Sequence, residues 1–183
     1  MPRIADIDDQ PMTSQQRKVF DAIASGPRGA VEGPLRIWLH SPELAQHSQA
    51  LGAFCRYGTS LTPRLSELAI IAIGAFWRAG FEWFIHAPIA EAAGISPVAI
   101  QALKAGEAPR FENRDEEAVY RFTRQLITRR TVSDDTYAAA RACLSEPAIV
   151  ELVGIIGYYS YIAMTINAFE VVTPGGDPFA ESP

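Results

Sequence analysis

Apolar positions along this chain recur with the period of a helix, and strand-like alternation is scarce. In "TSQQRKVFDAIA", Val19, Phe20 and Ile23 supply apolar spacing behind a capping Thr13 or Ser14, which predicts a first helix. "SGPRGAVEGP" interrupts with glycines and prolines and reads as a loop. "LRIWLHSPELAQHSQALGAFCRYG" carries two helical pieces around Ser41-Pro42. "TSLTPRLSELAIIAIGAFWRAG" opens on a capping Thr and Pro63, then runs apolar through Leu65, Leu68, Ile71, Ala72 and Ala75. Gly80 punctuates, and "FEWFIHAPIAEAAG" resumes as helix until Gly94. A short helix follows from Ser96 to Gly106. Two amphipathic helices come next, "RDEEAVYRFTRQLITRR" and "SDDTYAAARACLS", the second capped by Ser133. "EPAIVELVGIIGYYSYIAMTINAF" reads as a long helix buried nearly all round. The expectation is an all-α bundle forming one domain over residues 1–183, with a loosely held tail at 1–12 and another at 174–183.

A weak internal repeat divides the bundle into two pseudo-repeated helical halves. "ELAIIAIGAFW" from Glu67 resembles "ELVGIIGYYSY" from Glu151, 84 residues later. In the second copy Glu82 and His86 fall on Ile166 and Glu170, so a histidine site arises only once.

Composition narrows the function classes. About half of the 183 residues are hydrophobic, 20% are charged and the net charge is −5. That acidity disfavours nucleic acid and anionic membrane surfaces as partners, yet leaves room for a small anionic substrate met by one or two local arginines. No apolar run free of charge reaches the roughly 18–20 residues of a membrane span, and the polar, acidic opening "MPRIADIDDQP" is unlike a secretory leader. The cysteines, Cys55 and Cys143, sit in apolar contexts without a CxxC pair. The expected setting is cytoplasmic, with buried free thiols.

The chemistry-bearing residues lie in the greasiest stretch. Glu82 and His86 are four apart and share a helix face, among Trp77, Phe81, Trp83 and Phe84. A carboxylate favours the imidazolium while burial opposes it, which places His86 in reach of general acid–base work. Alternatively Glu82 is itself the acid, its pKa raised by apolar neighbours, or the two are an ordinary i,i+4 pair. Glu67 opens an apolar helix 19 residues before His86, about 28 Å away along a straight helix. The two meet only where the chain folds back near Arg78-Ala79-Gly80. No HxxxH or HExxH spacing exists, and neither a metal nor a cofactor is expected.

"RLSELAIIAIGAFWRAGFEWFIHAPIAEAAGISPVAIQAL", with "GPLRIWLHSPELAQHSQALGAFCRYG" and "TINAFEVVTP", resembles the carboxymuconolactone decarboxylase family, related to the alkylhydroperoxidase AhpD. The resemblance implies an AhpD-like helical fold and a homo-oligomer, trimer or hexamer. AhpD carries Glu, then Cys-x-x-Cys-x-x-x-His. Here Glu67 and His86 match, but the cysteine positions hold Ala79 and Glu82. A dithiol peroxidase has no thiolate at such a site. The resemblance then implies a cofactor-free lyase or isomerase on a small carboxylated lactone or related acid. Glu67, Glu82 and His86 are its candidate catalytic groups. Arg64, Arg78, Trp38, His40 and Trp83 are its candidate substrate contacts. A competing expectation is a non-catalytic oligomeric binding or stress protein that kept the fold. Peroxidase activity through Cys55 and Cys143 is a third.

Overall fold

The computed structural model describes residues 3–180, all-helical apart from turns and loops. Nine helices follow in order among the described residues: α1 Ser14–Ala24, α2 Pro34–Trp38, α3 Pro42–Tyr57, α4 Pro63–Trp77, α5 Gly80–Ala92, α6 Pro97–Lys104, α7 Arg114–Arg129, α8 Asp134–Cys143 and α9 Glu146–Phe169. Local chemistry sets their starts. Thr13 and Gln16 form a reciprocal capping box at α1. Proline occupies the first turn of α2, α3, α4, α6 and α9, where its missing N–H goes unneeded.

α4 is the central helix. Every residue from Leu65 to Gly74 is buried. One side packs into the main core with α1, α2, α3, α7 and α9, and the other into a smaller core with α5, α6 and Phe179. α9 packs alongside α4 but runs 24 residues without a break. The repeat is therefore unequal: the first copy breaks into α4 and α5, the second continues straight. Glu151, the counterpart of Glu67, lies near the surface and accepts from the Ser60 backbone N–H and hydroxyl at 2.7 and 2.6 Å.

α9 departs from the expected burial. Its length and mean hydropathy of 1.6 are enough to cross a membrane, yet 56% of that stretch is buried within the chain, as in a core helix. Its outer face remains open, with Val150, Val153 and Met164 exposed and free space over Gly154 and Gly157. α3 lies beside it and exposes Leu44, Leu51, Phe54 and Tyr57.

The terminal segments correct a second expectation. Far from hanging loose, Ile7 is buried, the Arg3 N–H donates to the Phe169 carbonyl at 3.1 Å, and Arg36 pairs with Asp6 and Asp8. At the other end Phe179 is buried edge-on against Trp83. Residues 1–2 and 181–183 lie outside the described residues. The thiols also differ from expectation. Cys55 is buried on α3, but Cys143 is exposed because it ends α8 on its solvent side.

Candidate active site

The break between α4 and α5 creates the site. Glycine was expected to make the turn at Gly80, but the left-handed residue is Arg78, at φ 50°. A non-glycine residue there costs about 1 kcal/mol or more. Arg78 offsets this by donating its guanidinium to the Phe179 carbonyl, and the Ala79 N–H closes on the Gly74 carbonyl at 2.9 Å. Gly80 serves a different purpose. A Cβ there would approach Thr173 Oγ1 to 2.8 Å, so only glycine admits the C-terminal segment this closely.

The fold-back brings together residues 19 apart. His86 Nδ1 and the Glu67 carboxylate are 2.7 Å apart, and both side chains are buried. With Nδ1–H donating to Glu67, Nε2 carries the free lone pair. Burial lowers the His86 pKa below its usual 6.5, opposed by the Glu67 hydrogen bond and reinforced by the nearby cations Arg56 and Arg28. The contact is thus a neutral imidazole steered by a carboxylate rather than a fully charged ion pair.

Glu82 is the unusual member. It is only 2% exposed, and neither carboxyl oxygen has a hydrogen-bond partner among the described residues. It sits over Gly74, where a Cβ would approach its Oε1 to 3.2 Å. Burial, then the negative charge of Glu67, raises its pKa well above the ordinary value, which favours the protonated carboxyl. Tyr159 of α9 packs edge-on to the His86 ring at 5.1 Å, its phenol also kept protonated by burial.

Glu82 and His86 border a pocket of about 100 Å³, room for a small molecule, with Glu67 and Tyr159 behind them. Arg28 and Glu32 from the loop before α2, Arg56 of α3, and Phe81, Glu82 and His86 of α5 line it. None of the five expected substrate contacts does. Arg64 bonds Asp115 at 2.6 Å and Glu116, tying α4 to α7. Arg78 is used by the turn. Trp38 is a core residue, its indole N–H donating to Thr165 Oγ1 at 3.0 Å and its ring stacked on Tyr161. His40 is exposed, 3.1 Å from the Ala5 carbonyl. Trp83 packs on Phe179. Arg28, Arg56 and Tyr159 carry no local signal in the sequence: two reach the pocket from distant segments, and the third looks like any aromatic core position.

No family model and no curated protein matches the chain. Solved structures do. A peroxidase-related protein from Silicibacter sp. TM1040 superposes with a TM-score of 0.74 at 12% identity, covering 93% of this chain and 91% of its own. The fold is AhpD-like. A putative antioxidant defence protein AhpD from Agrobacterium tumefaciens matches with a TM-score of 0.66 at 18% identity, over 78% of this chain and 99% of its own. The debrominase Bmp8 matches with a TM-score of 0.69 at 18% identity, over 97% and 92%. Within this AhpD-like fold, no sulfur stands at Ala79 or Glu82. Cys55, elsewhere on α3, has its thiol pushed up to about 11 by burial and is therefore no thiolate at neutral pH.

Proposed function

We propose that the chain is a cofactor-free acid–base enzyme, a lyase or isomerase acting on a small carboxylated lactone or related acid. One observation carries this reading: a protonated, unpartnered Glu82 at the wall of a pocket beside a neutral His86 held by Glu67. Two titratable groups pushed in opposite directions by one environment are a ready acid and base. His86 Nε2 takes a proton, and Glu67 stabilises the imidazolium that forms. Glu82 gives a proton to the carbon or oxygen on which charge develops. In the lyase branch, CO₂ leaves, its bonding pair passes into an adjacent carbonyl, and the proton of Glu82 quenches the resulting carbanion. In the isomerase branch, His86 removes a proton from one carbon and Glu82 supplies one at another. Each positioned group contributes about a hundred- to ten-thousand-fold in rate.

The names of two neighbours speak of peroxidase and antioxidant defence. Thiol chemistry of that kind is not proposed here, because the redox positions hold alanine and glutamate. The open faces of α9 and α3 support a homo-oligomer, since apolar surface of this extent is usually covered. The test is turnover of a panel of small carboxylated lactones and unsaturated acids. Glu82→Gln and His86→Ala should each abolish it with the oligomer intact. Turnover surviving both changes refutes the acid–base reading.

A further inference from the structure

Two cations border the pocket without a carboxylate partner. Arg28 and Arg56 form no salt bridge among the described residues, whereas Arg36 and Arg64 are each held by two carboxylates. Arg28 is seated rather than draped. Its Nη2 donates to the Tyr158 hydroxyl at 3.3 Å, and its Nε is buried without a partner. The seat depends on Gly52 of α3, where a Cβ would lie 2.0 Å from the Tyr158 hydroxyl and 2.5 Å from Arg28 Nη2. The loop before α2 thus delivers a fixed guanidinium to the pocket mouth, with an N–H still to satisfy.

We propose that Arg28 and Arg56 take the carboxylate of a small monoanionic acid, whose uncharged, reacting end faces Glu82 and His86. This rests on the acid–base reading of the site. Charge at the lining supports a monoanion. Two cations stand against one anion, Glu32, leaving a single positive excess once Glu82 is neutral. The remaining walls are apolar, including Phe81, Ile162 and Ile166, and suit a hydrocarbon or ring body. Two guanidiniums stabilise charge where it sits and so oppose its departure as CO₂. The clamped carboxylate is therefore one the substrate keeps, which favours the proton shift over loss of that group.

The clamp also couples to the base. The charged and titratable groups around His86 are Glu67 from α4, Glu82 from α5, Tyr159 from α9, Arg56 from α3 and Arg28 from the loop. Both arginines hold its basicity down. A carboxylate that neutralises them lets His86 become more basic as the substrate arrives.

The experiment titrates the 183-residue chain with benzoate, with its neutral isostere benzamide and with inorganic phosphate, by calorimetry, while His86 is followed by NMR. Benzoate should bind at least about tenfold tighter than either alternative, and Arg28→Met and Arg56→Met should each weaken it by about tenfold. Benzoate should raise the His86 pKa, and Arg56→Met should raise it without ligand. Gly52→Ala, which unseats Arg28, should weaken benzoate in a chain whose helicity by circular dichroism is unchanged. No benzoate binding, equal binding of benzamide, tighter phosphate binding, or arginine variants that bind normally would each overturn the clamp. Benzoate binding that depends on the arginines, together with turnover indifferent to Glu82 and His86, keeps the clamp and discards the acid–base reading.

Discussion

Glu82→Gln makes the protonation of Glu82 visible as stability. Unfolded, Glu82 titrates near its ordinary 4.5. Folded, burial and Glu67 raise that value, so its contribution to stability is fully present below 4.5 and is lost as pH rises toward the folded value. Each pH unit over which the folded chain alone keeps the proton costs about 1.36 kcal/mol. As pH rises above 4.5 a retained proton therefore costs the wild type stability, and the cost stops growing once the folded carboxyl ionises. The glutamine side chain of the variant has no such proton to lose. Its buried amide adds an offset of about 1–3 kcal/mol, but one independent of pH. His86 works in the other direction: its lowered pKa makes stability fall as pH drops below 6.5, equally in both proteins. The assay is urea unfolding by circular dichroism for wild type and variant at matched pH values. The difference between them should shift in favour of the variant as pH rises above 4.5, by at most about 1.36 kcal/mol per unit. Parallel curves would mean that Glu82 is ionised in the folded chain and is no proton donor.

Other outcomes follow from the same structure. Arg64→Ala strips the cation from the buried Glu116 and should cost about 2–3 kcal/mol in urea unfolding, with benzoate binding unchanged. Turnover should hold as pH falls to 6.5 and drop only on further acidification, where His86, its pKa lowered by burial, becomes imidazolium and loses its free lone pair; a rate that rises instead would make His86 the acid. If the open face of α9 joins copies of the chain as proposed, wild type should sediment as an oligomer and Val150→Glu with Met164→Glu as a monomer by analytical ultracentrifugation, while circular dichroism stays helical.

The helices were legible because their apolar residues recur at a helical period and their caps are strong, as at Thr13-Gln16 and Ser133. Glu82 and His86 were legible because they interrupt an apolar stretch at a spacing that puts them on one face. Their environment was not. Arg64 and Arg78 are near the site in sequence, but a hairpin does not keep sequence neighbours together: Arg64 turns to α7, and Arg78 is consumed by the left-handed turn. Arg28 and Arg56 arrive from segments 58 and 30 residues before His86, a long-range pairing that periodicity cannot encode. Gly80 marks the fold-back in the sequence, but the left-handed residue is Arg78, and the missing Cβ of Gly80 serves close packing. The open face of α9 was hidden for a related reason. Val150, Val153 and Met164 are apolar like their buried neighbours, and composition does not say whose surface covers them.

The central claim is that Glu82 and His86 move protons on a small acid. Incubating wild-type protein in deuterium oxide with the panel of small unsaturated acids and following carbon-bound deuterium by mass spectrometry tests it most directly. Incorporation at carbon is expected for the wild type and should be lost in Glu82→Gln and in His86→Ala while both variants remain folded. Deuterium incorporated equally by wild type and both variants, or by none of them on any acid that binds, would contradict it.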